Sequence, residues 1–242
     1  MDEMPPALPH GQLKEVFPDV FFVTGLMETV LMDVPWKFSR NMTVVREGDA
    51  LTLINAIRLE ESALTELEAI GRVANVVKIA SWHGRDDCFY KTRYDARLWA
   101  LPNMQHAHGL IADKELTAGE IPFADCRLFE FRTTKLPEGL LLVDRSGGIL
   151  VSGDSLQNYV ARDQFFSDDS FETMTKMGFF EVANFGPYWL QVNETQAQDF
   201  VRVLELQFQH VLPGHGKPLR NRAKEAFTER FRRVFGVAPA TI

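Results

Sequence analysis

Three short groups of polar residues could carry chemistry in this 242-residue chain, and each directly follows an apolar run. The runs are 76–80, 149–152 and 210–212, and the groups that follow them are His83-Gly84-Arg85-Asp86-Asp87-Cys88, Gly153-Asp154 and Pro213-Gly214-His215-Gly216. Imidazole, carboxylate and thiolate groups are usual protein ligands of zinc and iron. The glycines beside Asp154 and His215 permit tight turns and close approach of the backbone. Together these groups predict a metal centre.

The apolar runs are typical of strands, and the ends of strands in α/β folds are where loops converge and ligands bind. Further strands are predicted at 20–23, 42–46, 51–59, 97–101, 127–132 and 139–143, and helices at 61–73, 199–208 and 217–235. Strands occur both as hairpins and in β-α-β order, and no linker rich in Pro, Gly or Ser divides the chain. We therefore expect a single α/β domain with mixed sheets over 1–242, in which 1–19 is an irregular lead-in.

The order of these motifs resembles the metallo-β-lactamase fold superfamily: a strand followed by His-x-x-x-Asp, a hairpin ending in Gly-Asp, and Leu-Pro-Gly-His-Gly before a helix. The resemblance spans residues 20–235 and implies an αββα four-layer sandwich, in which two mixed β-sheets are flanked by helices and the metal site lies at one edge. His83 and Asp87 align with the first His and the Asp of the family motif His-x-His-x-Asp-His. Asp154 aligns with the bridging Asp of the family, and His215 with its last His.

The chain departs from the family pattern at three positions. Arg85 and Cys88 stand where the second and third His of the motif belong, and the region 133–139, where the family has another His, offers only Lys135. Because Arg and Lys are not usual metal ligands, the tri-histidine ion of the family should be absent, leaving at most one ion, Zn²⁺ or Fe²⁺. The resemblance implies as its ligands Asp87, Cys88, Asp154 and His215, with His83 as a further ligand. Asp86 or Asp87 would accept a proton from the activated water.

Each motif also has a plainer interpretation. The loop 83–88 could be solvated, with an Asx turn that caps a following helix, and Gly-Asp is common in turns. His106 and His108 are most simply exposed loop histidines, although one of them could reach the metal edge and replace a missing ligand. The aromatic stretch 159–189 is expected to pack the core, although the resemblance offers a substrate pocket or a dimer surface as the alternative. The basic run 220–233 is expected to form the solvated face of the last helix.

Composition narrows the functional class. The chain has 33 Asp and Glu against 26 Lys and Arg, a net charge of −7, and so lacks the basic field of a nucleic-acid binder. No apolar run approaches the length of a membrane span. The acidic, Pro-rich start does not resemble a signal peptide, and two cysteines are too few for a disulfide framework, so we expect a cytoplasmic protein.

The residues and the resemblance predict a metal-dependent hydrolase that acts on a small ester, thioester or phosphate-type substrate. The alternative is a non-catalytic, metal-free member that binds a ligand or partner in its cleft, with Arg85 and Lys135 paired to nearby carboxylates. An iron protein that senses oxygen or redox state is a third hypothesis. If the resemblance holds, His83, Asp87, Asp154 and His215 lie within about 10 Å of one another at one edge of the sheets.

Overall fold

The larger sheet contains seven strands that lie side by side in chain order. The computed structural model describes residues 4–31, 33–236 and 238–239. The strands are β1 (Lys14–Phe17), β2 (Val20–Leu31), β3 (Val34–Glu47), β4 (Ala50–Ile54), β5 (Arg72–Lys78), β6 (Arg97–Ala100) and β7 (Lys114–Glu115). β1 to β4 pair antiparallel, and β4 to β7 pair parallel. Helices α1 (Glu61–Ile70) and α2 (Asp87–Tyr94) make the first two parallel crossovers, so this sheet is mixed.

The second sheet has four strands, β8 (Cys126–Glu130), β9 (Gly139–Val143), β10 (Ile149–Val151) and β13 (His210–Leu212), in the spatial order β13-β10-β9-β8. Only the β10–β13 pair is parallel. Between β10 and β13 the chain forms the short pair β11 (Leu156–Gln157) and β12 (Asn184–Phe185), with helices α3 (Asp168–Lys176), α4 (Pro187–Asn193) and α5 (Ala197–Glu205). Helix α6 (Ala223–Phe235) follows β13, and a 3-10 turn spans Ala107–Gly109.

Alternation along the strands places a hydrophobic core on each side of both sheets. In β9, Leu141 and Val143 pack between the sheets, whereas Leu140 and Leu142 pack outward with aromatic residues of α5 and α6. In β4, Leu51 and Leu53 pack on α1 and α2. Since side chains of a strand alternate between its two faces, one apolar run such as GLLLV serves two cores. The result is the four-layer αββα sandwich of two mixed sheets that the resemblance implied, and this prediction is confirmed.

Several predicted boundaries are wrong. The segment 1–19, expected to be irregular, contains β1, which pairs with β2 at the edge of the larger sheet. The runs 20–23 and 42–46 are the buried ends of a long β2–β3 hairpin, whose other half is more exposed and therefore lacks a strong apolar signal. Helix α1 ends at Ile70 because β5 begins only two residues later, and a side chain at Gly71 would lie 2.7 Å from the carbonyl oxygen of Asp49.

None of the helices in the described ranges combines the length and the hydrophobicity needed to cross a bilayer.

Candidate metal centre

The structure brings together one side chain from each of the three polar loops. His83 lies beyond the end of β5, Asp154 beyond β10 and His215 beyond β13. One ligand atom from each lies within 4.8 Å of the other two. The Nε2 atom of His215 is 3.1 Å from Oδ1 of Asp154, and Nε2 of His83 is 3.5 Å from Oδ2. Two imidazoles thus face the two oxygens of one carboxylate.

Two glycines allow the loops to approach this closely. A Cβ atom at Gly153 would lie 2.2 Å from the Cβ of Ala80, and a Cβ at Gly214 would lie 2.7 Å from the carbonyl oxygen of Gly153. Real side chains are excluded at such distances. The three backbone segments that follow β5, β10 and β13 therefore stack in direct contact, and this contact sets the spacing of the side chains that extend from them.

The loop that carries His215 is fastened to β3. The side-chain amide of Asn41 donates to the carbonyl oxygens of Pro213 and Gly216, at 2.9 and 2.7 Å. The Nδ1 atom of His215 is 3.0 Å from the carbonyl oxygen of Ser39 and 3.2 Å from the hydroxyl oxygen of Tyr159, which donates its own hydrogen to that carbonyl, so Nδ1 is placed to act as a donor. In the neutral ring, Nε2 then presents its lone pair toward Asp154. Metal-ligating histidines are oriented by a hydrogen bond of this kind from the other ring nitrogen.

The electrostatics of the cluster favour a cation between these side chains. Burial would raise the pKa of Asp154, but the two histidines outweigh it, so the pKa is lowered and the carboxyl is ionised. Burial lowers the pKa of His83, partly countered by Asp154, so this imidazole favours its neutral form. Nε2 of His83 and Oδ2 of Asp154 are buried and lie 3.5 Å apart, and neither makes a well-formed hydrogen bond within the described part of the chain. A divalent ion between these two atoms would coordinate both of them. The three side chains therefore fit a metal site with two nitrogen ligands, from His83 and His215, and one oxygen ligand, from Asp154.

The sequence analysis missed Glu138, which positions Asp154. The residue is buried, and its Oε1 accepts the backbone N–H groups of Asp154 and Ser155 at 3.0 and 2.9 Å. Burial, followed by the charge of Asp154, raises the pKa of Glu138 well above its ordinary value. The only sequence signal was its position directly before β9, on the segment where the family pattern places a histidine.

Asp86, predicted as a proton acceptor, is instead tied into an ion-pair network. Its carboxylate is fully buried, is bonded by the guanidinium groups of Arg40 and Arg85, and accepts the backbone N–H of Arg58 at 3.0 Å. Both oxygens of Asp86 are therefore engaged by neighbouring groups. It anchors two arginines beside the cluster, and Arg85, which we expected to face a carboxylate only in a metal-free cleft, is one of them.

Asp87 and Cys88 lie outside the His83–Asp154–His215 cluster. Asp87 is the first residue of α2, which begins without a side-chain cap, and burial raises its pKa to about 7 against an opposing effect of Lys78. A Cβ at Gly84 would lie 2.9 Å from Oδ2 of Asp87 and 3.3 Å from Nζ of Lys78, so these two charged groups share one buried site. The Cys88 thiol is buried in α2, and burial raises its pKa. Neither residue belongs to the cluster found among the described residues, and their assignment as ligands stays a prediction.

The remaining candidates also lie elsewhere. Lys135, expected to bring its charge to the position of an ion, is 56% exposed and pairs with Glu194 at 2.6 Å. His106 is half-buried next to the 3-10 turn, and His108 is exposed within it. Neither histidine belongs to the cluster found among the described residues. This placement favours the interpretation of His106 and His108 as loop histidines over the one in which either replaces a missing metal ligand.

A pocket of about 410 Å³ opens beside the cluster. His83, Asp154 and His215 all border it, as do Arg40 and Arg85. Its mouth carries Trp82, whose ring packs against Tyr188 with the centroids 5.4 Å apart. Several aromatic residues of 159–189 line this pocket, and others of the same stretch pack in the core, so both interpretations of the stretch apply to part of it.

Comparison with known proteins identifies the fold. Solved metallo-β-lactamases share it over nearly the whole chain: DIM-1 at 17% identity (96% of this chain, 100% of that one, TM-score 0.58), an enzyme from Hirschia baltica at 14% (92% and 98%, 0.58) and the mono-zinc form of FIM-1 from Pseudomonas aeruginosa at 11% (96% and 99%, 0.58). No family model and no curated protein sequence matches the chain. The chain therefore has the metallo-β-lactamase fold.

Proposed function

We propose that the protein is a metal-dependent hydrolase with one divalent ion, zinc or iron, held by His83, Asp154 and His215, acting on a small ester, thioester or phosphate-type substrate. One observation carries the proposal: two buried ligand atoms, Nε2 of His83 and Oδ2 of Asp154, lack a hydrogen bond and lie at the edge of an open pocket. A buried polar atom without a hydrogen-bond partner calls for an explanation, and an ion held between two such atoms supplies one.

A divalent ion at this place supplies Lewis acidity, lowering the pKa of a bound water toward neutrality and polarising a carbonyl or phosphoryl oxygen. The chain itself orients the ligands. The hydrogen bond from His215 to the carbonyl of Ser39 fixes the ring, and Glu138 fixes the backbone at Asp154. In the hydrolysis of an ester, the water oxygen bonds to the acyl carbon and the bond to the leaving oxygen or sulfur breaks. One water proton goes to the leaving group, and the other is released as the carboxylate forms.

The proposal of a single ion rests on the charges around Asp87. The carboxylate that aligns with the family Asp shares its buried site with Lys78, whose ammonium donates to the carbonyl oxygen of Gln105 at 2.6 Å. Arg40 and Arg85 carry two positive charges against one on Asp86, which leaves a net charge of +1 on this ion-pair network. A second divalent ion would meet these cations in a buried environment, where like charges repel strongly. The same net charge would stabilise an anionic transition state.

A metal-free binding protein is the competing function, and one observation favours it. Arg85 is paired with a carboxylate, and the cluster can hold itself together through a hydrogen bond between Asp154 and a protonated His215.

Elemental analysis and zinc titration separate the two functions. Protein purified without chelator should contain one transition metal per chain, and zinc should raise its melting temperature. His83→Ala, Asp154→Ala and His215→Ala should each lower zinc affinity more than about 100-fold, since each removes a ligand. The matched control is His108→Ala, which changes an exposed loop histidine and should bind zinc like the wild type.

Absence of zinc uptake by the wild type would favour the binding protein. Two tightly bound ions per chain would contradict the single-ion centre. Equal affinity of the three variants and the control would show that the cluster does not hold the metal.

A further inference from the structure

The pocket beside the centre has walls that offer few hydrogen bonds. The β2–β3 hairpin contributes Trp36 and Phe38, the segment after β11 contributes Tyr159 and Phe179, and α3 and α4 contribute Met174 and Trp189. Tyr159 donates its hydroxyl hydrogen to the carbonyl of Ser39, so toward the pocket it offers a ring edge. A sugar or a phosphodiester chain would lose hydrogen bonds to water on entering and find few replacements.

Charged groups are confined to the end of the pocket next to the centre. They are His83, Asp154, His215, Arg40 and Arg85. The two arginines share Asp86, so this group of three carries a net charge of +1, which the ionised Asp154 balances, and a bound divalent ion would make this end net positive. The arrangement suits a molecule with one polar, reactive end that becomes anionic and one apolar end.

We propose that the substrate is a carboxylic ester or thioester whose apolar acyl group, a medium-length alkyl chain or an aryl group, fills this pocket. The inference rests on the proposed function and specifies its substrate class. The acyl carbonyl lies at the charged end and the product carboxylate forms beside Arg40 and Arg85. A cavity of about 410 Å³ lies within the range of small-molecule pockets, so the preference should rise along a series of short to medium-length acyl chains.

The test is the hydrolysis of p-nitrophenyl acetate, butyrate, hexanoate and octanoate by zinc-loaded protein. The ratio kcat/KM should rise up to about fourfold for each added methylene, the ratio that corresponds to about 0.8 kcal/mol per buried CH₂. Bis(p-nitrophenyl) phosphate should be a poor substrate. Val192→Arg, which puts a charge into the apolar wall, should flatten the series, whereas Val182→Arg, at an exposed valine outside the pocket, should leave it unchanged.

A second measurement separates failure of this inference from failure of the proposed function. Quenching of tryptophan fluorescence by hexanoate, octanoate and decanoate reports binding without catalysis, because Trp36, Trp82 and Trp189 line the pocket. Affinity that rises with chain length, with no ester hydrolysed, would support the apolar acyl site and overturn the hydrolase. Hydrolysis with a flat or falling chain-length series, or with faster turnover of the phosphodiester, would overturn the inference and leave the hydrolase standing.

Discussion

Glu138 provides the sharpest test of how the centre is built. Its Oε1 accepts two backbone N–H groups, from Asp154 and Ser155, inside the protein. In Glu138→Ala both donors lose their acceptor in a buried place, at about 1–3 kcal/mol each. The free energy of unfolding should therefore fall by about 2–6 kcal/mol. Burial and the charge of Asp154 raise the pKa of Glu138 well above its ordinary value, so its neutral form is favoured.

Glu138→Gln resembles that neutral carboxyl in shape and keeps an acceptor oxygen. It should stay within about 1 kcal/mol of wild type, the scale of a single hydrogen bond. Urea unfolding of metal-free protein, followed by tryptophan fluorescence, measures both differences. Zinc titration should show a loss of about 10–100-fold for Glu138→Ala and little change for Glu138→Gln, because the residue acts on the metal through the backbone of a ligand.

Glu130→Ala is the matched control, since it removes an exposed glutamate side chain from β8, the strand that pairs with β9 directly after Glu138. It should change the free energy of unfolding by less than about 0.5 kcal/mol. The reasoning would be refuted if Glu138→Gln were as destabilising as Glu138→Ala, because an acceptor oxygen would then not be what the site requires. It would equally be refuted if Glu138→Ala unfolded like the control.

Three further perturbations test neighbouring parts of the structure. Asn41→Ala removes the two side-chain hydrogen bonds that tie the loop of His215 to β3 and should lower zinc affinity by about 10–100-fold in a calorimetric titration. An unchanged affinity would mean that the backbone hydrogen bond from residue 41 to Gly214 and the glycine contacts are enough to hold the loop. Burial raises the pKa of Asp87 to about 7, so the folded state binds this proton more tightly than the unfolded state and stability falls as the pH rises from about 4 to 7. Between pH 5 and 8 the free energy of unfolding of the wild type should therefore fall by on the order of 3 kcal/mol more than that of Asp87→Asn, as measured by urea unfolding. If the two proteins lost the same stability over this range, Asp87 would not be a buried, proton-binding group. Lys135→Ala should leave zinc affinity unchanged and stability within about 1 kcal/mol, because its ion pair with Glu194 is on the surface, and a change in metal stoichiometry would contradict that placement.

Local sequence patterns determined much of the architecture. The strands Gly139–Val143 and His210–Leu212 have the predicted bounds, because short apolar runs between turn residues can be buried on both faces and have no alternative periodicity. The order of the three polar loops indicated the fold and put His83, Asp154 and His215 at strand ends. Strand pairing within each sheet, and the packing of the two sheets on each other, then bring the ends of β5, β10 and β13 to one edge of the sandwich. The pattern was weaker for α2, which is short and polar, and for the exposed half of the β2–β3 hairpin.

Only the tertiary structure decided which polar residues face the centre. Asp86 and Asp87 are neighbours in a turn that enters a helix, so their side chains diverge: one meets Arg40 and the other shares a site with Lys78. Glu138 and Asn41 act on loops that are 16 and more than 170 residues away in the chain, through backbone groups that carry no mark in the sequence. Hydrogen bonds to a remote backbone depend on the stacking of two sheets and on glycine contacts, and that packing is fixed by the whole core, beyond any local spacing of residue types.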